Sequence, residues 1–375
     1  MNKIFKYYFY GIVIILFTLI YLISFKDYQF TPIENYNFIA GVGFDIDTSI
    51  ATDKYEVPVS VYESNRDGSV SSFLLDAKGS STVEARIDRQ LHSGKSFCLG
   101  TEKTYVFSKK ISYTGISSAL DGLLNNTQVP NRALFITTSN APKDILALNV
   151  PGYPSSSDYI DGLMNSLKVH TFYTGNSSLF HSYVNNKTEG KKFVAPNIDI
   201  INNKLYLTAF SVFNNGKMIA SIPISSMVTF NLLRNNKCHG LLNYTENSKN
   251  FLTFTTDSKR KVVCKKEKDK FSFDIYINAS GKIVNNNYMN NLSISLDQKH
   301  ALEKRIATHY EATLQSFVNN MKSYYKLDLL DLGFIAASKY GRNIISNWDK
   351  TVTTSPIKVH FKFSIDEFGI GNMTF

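Results

Sequence analysis

Residues 7–25 (YYFYGIVIILFTLIYLISF) form one apolar and aromatic run without a charged side chain. At about 1.5 Å per helical residue the run spans roughly 28 Å, close to the ~30 Å hydrocarbon core of a bilayer. Lys3 and Lys6 precede it, and Lys26 followed at once by Asp27 ends it. The positive-inside bias holds the short N-terminus in the cytosol and sends everything after Asp27 to the outer face. Tyr7, Gly11, Leu16, Leu22 and Phe25 mark the expected anchor from end to end. A cleaved signal peptide is the alternative. The run is longer than a usual signal core, and Ser24-Phe25-Lys26 is not a small-x-small cleavage site. The first cysteine is Cys98, so no lipid-acceptor cysteine follows the run.

The chain has 375 residues, enough for two or three domains beyond the anchor. Its hydrophobic content of 43% is that of a chain with packed cores. The formal net charge is +10. Outside a membrane, the anions within reach of such a surface are lipid headgroups and wall polymers. No DNA- or RNA-binding fingerprint accompanies the charge, so no nucleic acid partner is expected. Three cysteines, Cys98, Cys238 and Cys264, are too few for a disulfide framework. Pairing of Cys238 with Cys264 and three half-buried thiols both remain open.

Hydrophobic periodicity outlines an α+β protein: the transmembrane helix, then three α/β-type domains with mixed or antiparallel sheets. Residues 1–35 hold the cytosolic N-terminus, anchor and tether. A first domain, 36–196, opens with a strand over 37–47 and an alternating strand over 55–62. Its first helix begins at a capping box, Ser81 to Glu84, and stops near Gly94. Strands 103–107 and 132–138 alternate with helices 115–124, 141–148 and 155–169. A small middle domain, 197–267, carries strand 205–213, an Asn-Asn-Gly-Lys hairpin turn, helix 224–233 and strands 251–255 and 261–266. The last domain, 268–375, holds an alternating strand from Phe271 and a long helix over 297–325. The helix stripe runs through Leu302, Ile306, Tyr310, Leu314, Phe317, Met321 and Tyr324, spacing suited to packing on a sheet. A helix over 329–340 and a strand over 357–365 close the chain.

Catalytic patterns are missing from this outline. Gly41-Val-Gly43 follows an apolar strand, but a dinucleotide fingerprint needs glycine where Ile46 stands. Asp45 and Asp47 share a strand face, as turn-formers or as a cation pair. The seven histidines are scattered, and no zinc spacing, nucleophile elbow or metalloprotease helix occurs. No catalytic residue, cofactor or metal is therefore expected. The run 259–270 (KRKVVCKKEKDK), with seven basic and two acidic residues, reads as a solvated strand edge or as a contact for anionic lipid or wall polymer.

The order of these features resembles the Ger(x)C family, the C subunits of spore germinant receptors. Gly41-Val-Gly43-Phe-Asp45 is similar to the family's opening strand. The long helix is followed by Leu332-Gly333-Phe334 inside Leu327–Phe334, then Lys339-Tyr340, then Asn347-Trp348 and a basic closing strand. That order is similar to the family's helix, D-x-L-G-F-G, K-Y-P, W, strand. Gly41, Gly43, Asp45, Leu332, Gly333, Phe334, Tyr340 and Trp348 carry the resemblance, as structural positions. The chain departs from the family in having Gly341 where proline is usual and no N-terminal acylated cysteine, so the spanning helix would replace the lipid. The resemblance implies a non-enzymatic receptor subunit on the outer face of the spore inner membrane. It implies polytopic A and B subunits as partners and nutrient-triggered germination as the process. An anchored extracytoplasmic solute-binding protein and a wall-modifying enzyme are the competing readings; the first would favour two similar lobes around a cleft, the second a cleft with perturbed acids.

Overall fold

The computed structural model describes residues 3–24, 32–47, 54–247, 250–268, 270–287 and 295–367. Helix α1 (Lys3–Ser24) contains a stretch, Phe5–Ser24, long and apolar enough to cross a membrane, and none of it packs against the rest of the chain. Tyr7, Gly11, Leu16 and Leu22 lie on α1, whereas Phe25 falls outside the described residues.

Strand β1 (Tyr36–Asp47) is the hub of the larger sheet. It pairs antiparallel with β2 (Lys54–Glu56) and β3 (Val59–Ser64), and β3 pairs with β4 (Val70–Leu75). Strand β5 (Lys78–Gly79) joins β2, and helix α2 (Thr82–Leu91) follows. Strands β6 (Ser96–Cys98) and β7 (Thr104–Ser108) run parallel to β1. Helices α3 (Lys109–Thr114) and α4 (Ser117–Leu124) lead to β8 (Leu134–Thr138), which is parallel to β7. Helices α5 (Pro142–Ala147), α6 (Ser156–His170) and α7 (Leu179–Lys187) come next. The sheet is completed by β9 (Phe193–Ile201), β10 (Lys204–Asn214) and β11 (Lys217–Pro223).

Side-chain alternation along β7 and β8 explains the layering. Phe107 and Phe135 enter one core with Ile111 and Leu120 of α3 and α4. Val106 and Ile136 point the other way, to Ile145 of α5 and Ile160 of α6. Phe44, Phe107 and Phe135 stack in series across β1, β7 and β8, with ring centroids 4.8 and 4.3 Å apart. Gly41 and Gly43 lie where α5 and α6 press on β1: a side chain at Gly41 would fall 2.1 Å from Ser157 Oγ, and one at Gly43 2.8 Å from Pro142.

After α8 (Met227–Arg234) the chain builds a smaller sheet. Its order is β12 (Lys237–Asn247), β13 (Asn250–Glu267), β14 (Lys270–Asn286) and β15 (Ile357–Glu367). The first three strands are antiparallel, and β15 is parallel to β14. Helix α9 (Leu296–Asn320) lies on this sheet, followed by a π turn (Met321–Tyr325), α10 (Leu332–Tyr340) and α11 (Trp348–Thr354). The α9 stripe from Leu302 to Met321 is buried, but Tyr324 is exposed because the π turn rotates it off the face.

Polar residues of α9 also close the free edge of β15. Gln315 Oε1 accepts from Val359 N (3.0 Å), Glu311 Oε2 from Phe361 N (3.0 Å) and Glu303 Oε1 from Ile365 N (2.8 Å). Four helical residues rise about 6 Å and two strand residues about 6.6 Å, so helix and strand keep step. The spacing puts Ala307 opposite Phe363, the one rung without a polar side chain. An edge treated this way offers no template for another strand.

Several expectations change. The unit expected at 197–267 has no sheet of its own. Strands β10 and β11 extend the larger sheet, and β12 and β13 begin the smaller one. The two strands expected at 251–255 and 261–266 are one strand, β13, because β14 pairs along its whole length. The hairpin at 214–217 forms as the sequence indicates, with Asn215 and Gly216 at φ of 49° and 75°, the geometry of a type I′ turn. Cys238 stands opposite Ser258, six residues along β13 from Cys264, about 20 Å at ~3.3 Å per residue. All three thiols are free.

Candidate functional site

The segment 327–334, DLLDLGF after Leu327, lies where the two sheets meet. Asp328 is buried, and its carboxylate organises the turn. Oδ1 accepts from Leu330 N and Leu332 N, both at 3.1 Å, and Oδ2 accepts from Gly333 N at 2.6 Å. In a helix beginning at Leu329, Leu332 N and Gly333 N would bond to Asp328 O and Leu329 O, but the carboxylate takes both, and Leu330 N besides. Helix α10 therefore starts at Leu332, three residues later than periodicity indicates, behind an Asp331 in the left-handed region (φ 57°). Burial pushes the Asp328 carboxyl up to about 6, against the pull of its N–H donors.

Two arginines hold the same turn from α8 and β13. Arg234 Nη1 donates to Leu329 O (2.8 Å), and Nη2 donates to Lys192 O (2.5 Å) and pairs with Asp331 Oδ2 (2.9 Å). Arg260 donates to Leu330 O (3.0 Å) and Arg234 O (3.2 Å). Arg260 comes from the basic run 259–270, whose expected solvated edge is only partly realised. Its first residue pairs with Lys237, Arg260 is buried, and beyond it β12 no longer covers β13. There Tyr340 OH (3.1 Å) and Lys339 Nζ (2.8 Å) both donate to Cys264 O, which occupies the open edge.

The loop 188–192, between α7 and β9, fits against this turn. Lys192 N donates to Asp331 Oδ1 (3.1 Å), and Lys192 Nζ pairs with Asp349 at 3.0 Å. Asp349 in turn accepts from Asp328 N (2.8 Å). Phe334 N donates to Gly190 O (3.2 Å), and Trp348 Nε1 donates to Glu189 Oε1 (2.7 Å). The backbones approach closely: a side chain at Gly190 would fall 2.4 Å from Phe334 N, and one at Gly333 2.8 Å from Trp348 Cβ. Leu332, Gly333, Phe334, Tyr340 and Trp348 are thus brought together at one junction. Gly41, Gly43 and Asp45 lie elsewhere, on β1, where Asp45 is buried and accepts from Ser108 Oγ (2.5 Å) and Ile46 N (2.8 Å). The neighbouring Asp47 pairs with Lys54 along the β1–β2 ladder. Among the described residues no group of three or more His, Cys, Asp or Glu side chains is placed to hold a metal ion.

Beside the junction lies a cavity of about 360 Å³. Tyr173, Phe210, Phe230 and Phe334 supply apolar and aromatic wall, and Lys191, Arg234 and Arg260 supply positive charge against the single carboxylate of Asp331. Lys191 Nζ sits 4.3 Å over the Phe334 ring. Arg260 is lowered to about 10 by burial and so stays charged at neutral pH, and its Nε has no hydrogen-bond partner. The arrangement suits a small anion. Sequence spacing does not reveal Glu189, Lys192, Arg234 or Arg260, which come from the loop before β9, α8 and β13.

Two sheets joined at a clamped junction and preceded by an apolar helix make an α+β protein. Comparison with family models is specific. "Spore germination protein N-terminal domain" matches residues 29–200, and "Spore germination B3/ GerAC like, C-terminal" matches residues 208–369. The chain belongs to the Ger(x)C family of spore germination proteins. A solved structure, "Crystal Structure of the GerBC protein", is similar at a TM-score of 0.53 and 13% identity, over 87% of this chain and 97% of that one. That likeness concerns the fold. Comparison with curated proteins finds no match.

Asp328→Ala leaves three buried N–H groups without an acceptor and is expected to cost about 3–5 kcal/mol, measured by chemical unfolding of the full chain in detergent. The folded state holds the Asp328 proton more tightly than the unfolded chain, whose ordinary value is 3.8. This residue's contribution is therefore most favourable below pH 4, declines as pH rises to about 6, and is flat above. The wild type should lose about 3 kcal/mol relative to Asp328→Asn across that window. Parallel pH profiles for the two proteins would contradict it.

Proposed function

We propose that this chain is the C subunit of a spore nutrient germinant receptor, anchored by α1 with both sheets on the outer face of the membrane. It acts without catalysis, in a complex with the receptor's A and B membrane subunits. The observation that carries the reading is the match of the two germination-family models along residues 29–200 and 208–369. The single apolar helix ahead of residue 29 supports the anchoring. Lys3 and Lys6 before it support the orientation.

Deleting the gene should abolish germination with nutrients and leave a non-nutrient trigger effective. Restoring it with residues 7–25 replaced by a cleavable signal peptide should release the protein and fail to rescue. Rescue by the released form would contradict the anchored role, and unchanged nutrient response in a strain lacking related receptors would contradict the receptor role.

The cavity at the junction favours a second reading, in which the chain itself binds a small anionic solute. Benzoate should then bind the full chain in nanodiscs, seen by ligand-observed NMR, with benzylamine binding at least tenfold more weakly. Equal binding of the two, or none, would exclude this reading.

A further inference from the structure

Helix α2 is built inside out. Its buried face is Ala85 and Arg89, and the Arg89 guanidinium lies 4.8 Å over the Phe97 ring and donates to Val57 O (3.2 Å). Its apolar residues face solvent instead. Val83 is 65% exposed, Ile87 57% and Leu91 82%. At i, i+4 and i+8 they form one stripe within an arc of about 80°. Burying an arginine costs free energy that an ordinary surface helix avoids by turning over. A stripe of this kind on a soluble face marks a surface that is covered in the working state.

The position of the stripe identifies the cover. Leu91 ends α2 only two residues before Ser93, whose Oγ accepts from Asn37 Nδ2 (3.1 Å). Strand β6 then pairs in parallel with the first residues of β1, with Tyr36 opposite Ser96. The C-terminal end of α2 therefore sits beside the point where the chain enters the sheet. The chain ties that point to α1: twelve peptide units separate Ser24 from Tyr36, a reach of about 40 Å at most. Ile33 is itself 67% exposed. Among the described residues outside α1, this is an apolar helical stripe held by covalent connection near the anchor's exit.

We propose that α2 docks on the lipid surface, burying Val83, Ile87 and Leu91 in the headgroup–acyl boundary of the leaflet from which α1 emerges. The stripe, with Gln90 and Arg86 on one flank and Glu84 and Asp88 on the other, separates an apolar face from polar ones as an interfacial helix does. Docking adds a second attachment to the tether and fixes the rotation of the larger sheet about the membrane normal. The proposal rests on α1 crossing the bilayer.

The test uses the full chain in phosphatidylcholine–phosphatidylglycerol vesicles, with and without dibrominated phosphatidylcholine as quencher. The native Trp348 is buried at the junction and supplies the baseline. In Leu91→Trp, brominated lipid should quench the added emission at least twofold. In Ile87→Asp/Leu91→Trp the quenching should disappear, and both altered positions are exposed, so unfolding is not expected and circular dichroism checks it. Retention of the chain on carbonate-washed vesicles without quenching in Leu91→Trp would overturn the docking alone. Quenching that survives Ile87→Asp would overturn it as well, because the tether by itself would then bring Leu91 to lipid. Release of the chain by carbonate would overturn both the anchor and the docking.

Discussion

A single buried carboxylate shapes the junction on which the rest of this structure depends. Asp328 gathers three backbone N–H groups that would otherwise be unpaired in a buried turn. That turn points Leu329 O and Leu330 O at Arg234 and Arg260, and it sets Asp331 in the left-handed conformation that reaches Lys192 N. Each partner comes from a different element: α8, β13 and the loop before β9. Removing the carboxylate would release all three together. The chain thereby fixes the smaller sheet against the larger one with hydrogen bonds, although one apolar core already runs between them. The core supplies most of the attraction, and the polar web supplies a unique register between the two parts.

The same economy of side chains appears where the smaller sheet ends. Helix α9 presents its apolar stripe to the sheet and lines up Gln315, Glu311 and Glu303 beside the free N–H groups of β15. On the opposite edge, Lys339 and Tyr340 occupy the Cys264 carbonyl beyond the reach of β12. Open strand edges invite pairing between copies of a chain. Edge control and a clamped junction together describe a body whose two sheets keep one arrangement.

Much of the fold was legible because periodicity reports burial. Strand β1, the α9 stripe and the 214–217 hairpin stand close to expectation, the alternating segment from Phe271 begins where expected but runs on to Asn286, and the α+β class holds. The failures have physical causes. Helix α10 starts late because Asp328 competes with the helix for its first N–H groups. Tyr324 leaves the stripe at a π turn that 3.6-residue spacing does not anticipate. The middle unit dissolves because sheet membership depends on pairing across long sequence distances, which local pattern does not encode. The junction was half visible: the motif from Leu332 to Trp348 could be read in order, whereas Glu189, Lys192, Arg234 and Arg260 carry no local signal. Arg260 in particular was hidden inside a run of lysines that looked wholly solvated.

The central claim is that the turn at 328–334 and the loop at 188–192 form one cooperative unit joining the two sheets. Hydrogen exchange on the full chain in nanodiscs tests it directly. The account predicts that the amides of Leu330, Leu332, Gly333 and Phe334 are protected, and that Lys192 N exchanges at the same rate as they do, through one shared opening. Rapid exchange of 330–334 in the folded protein, or slow exchange there with free exchange at Lys192, would contradict it.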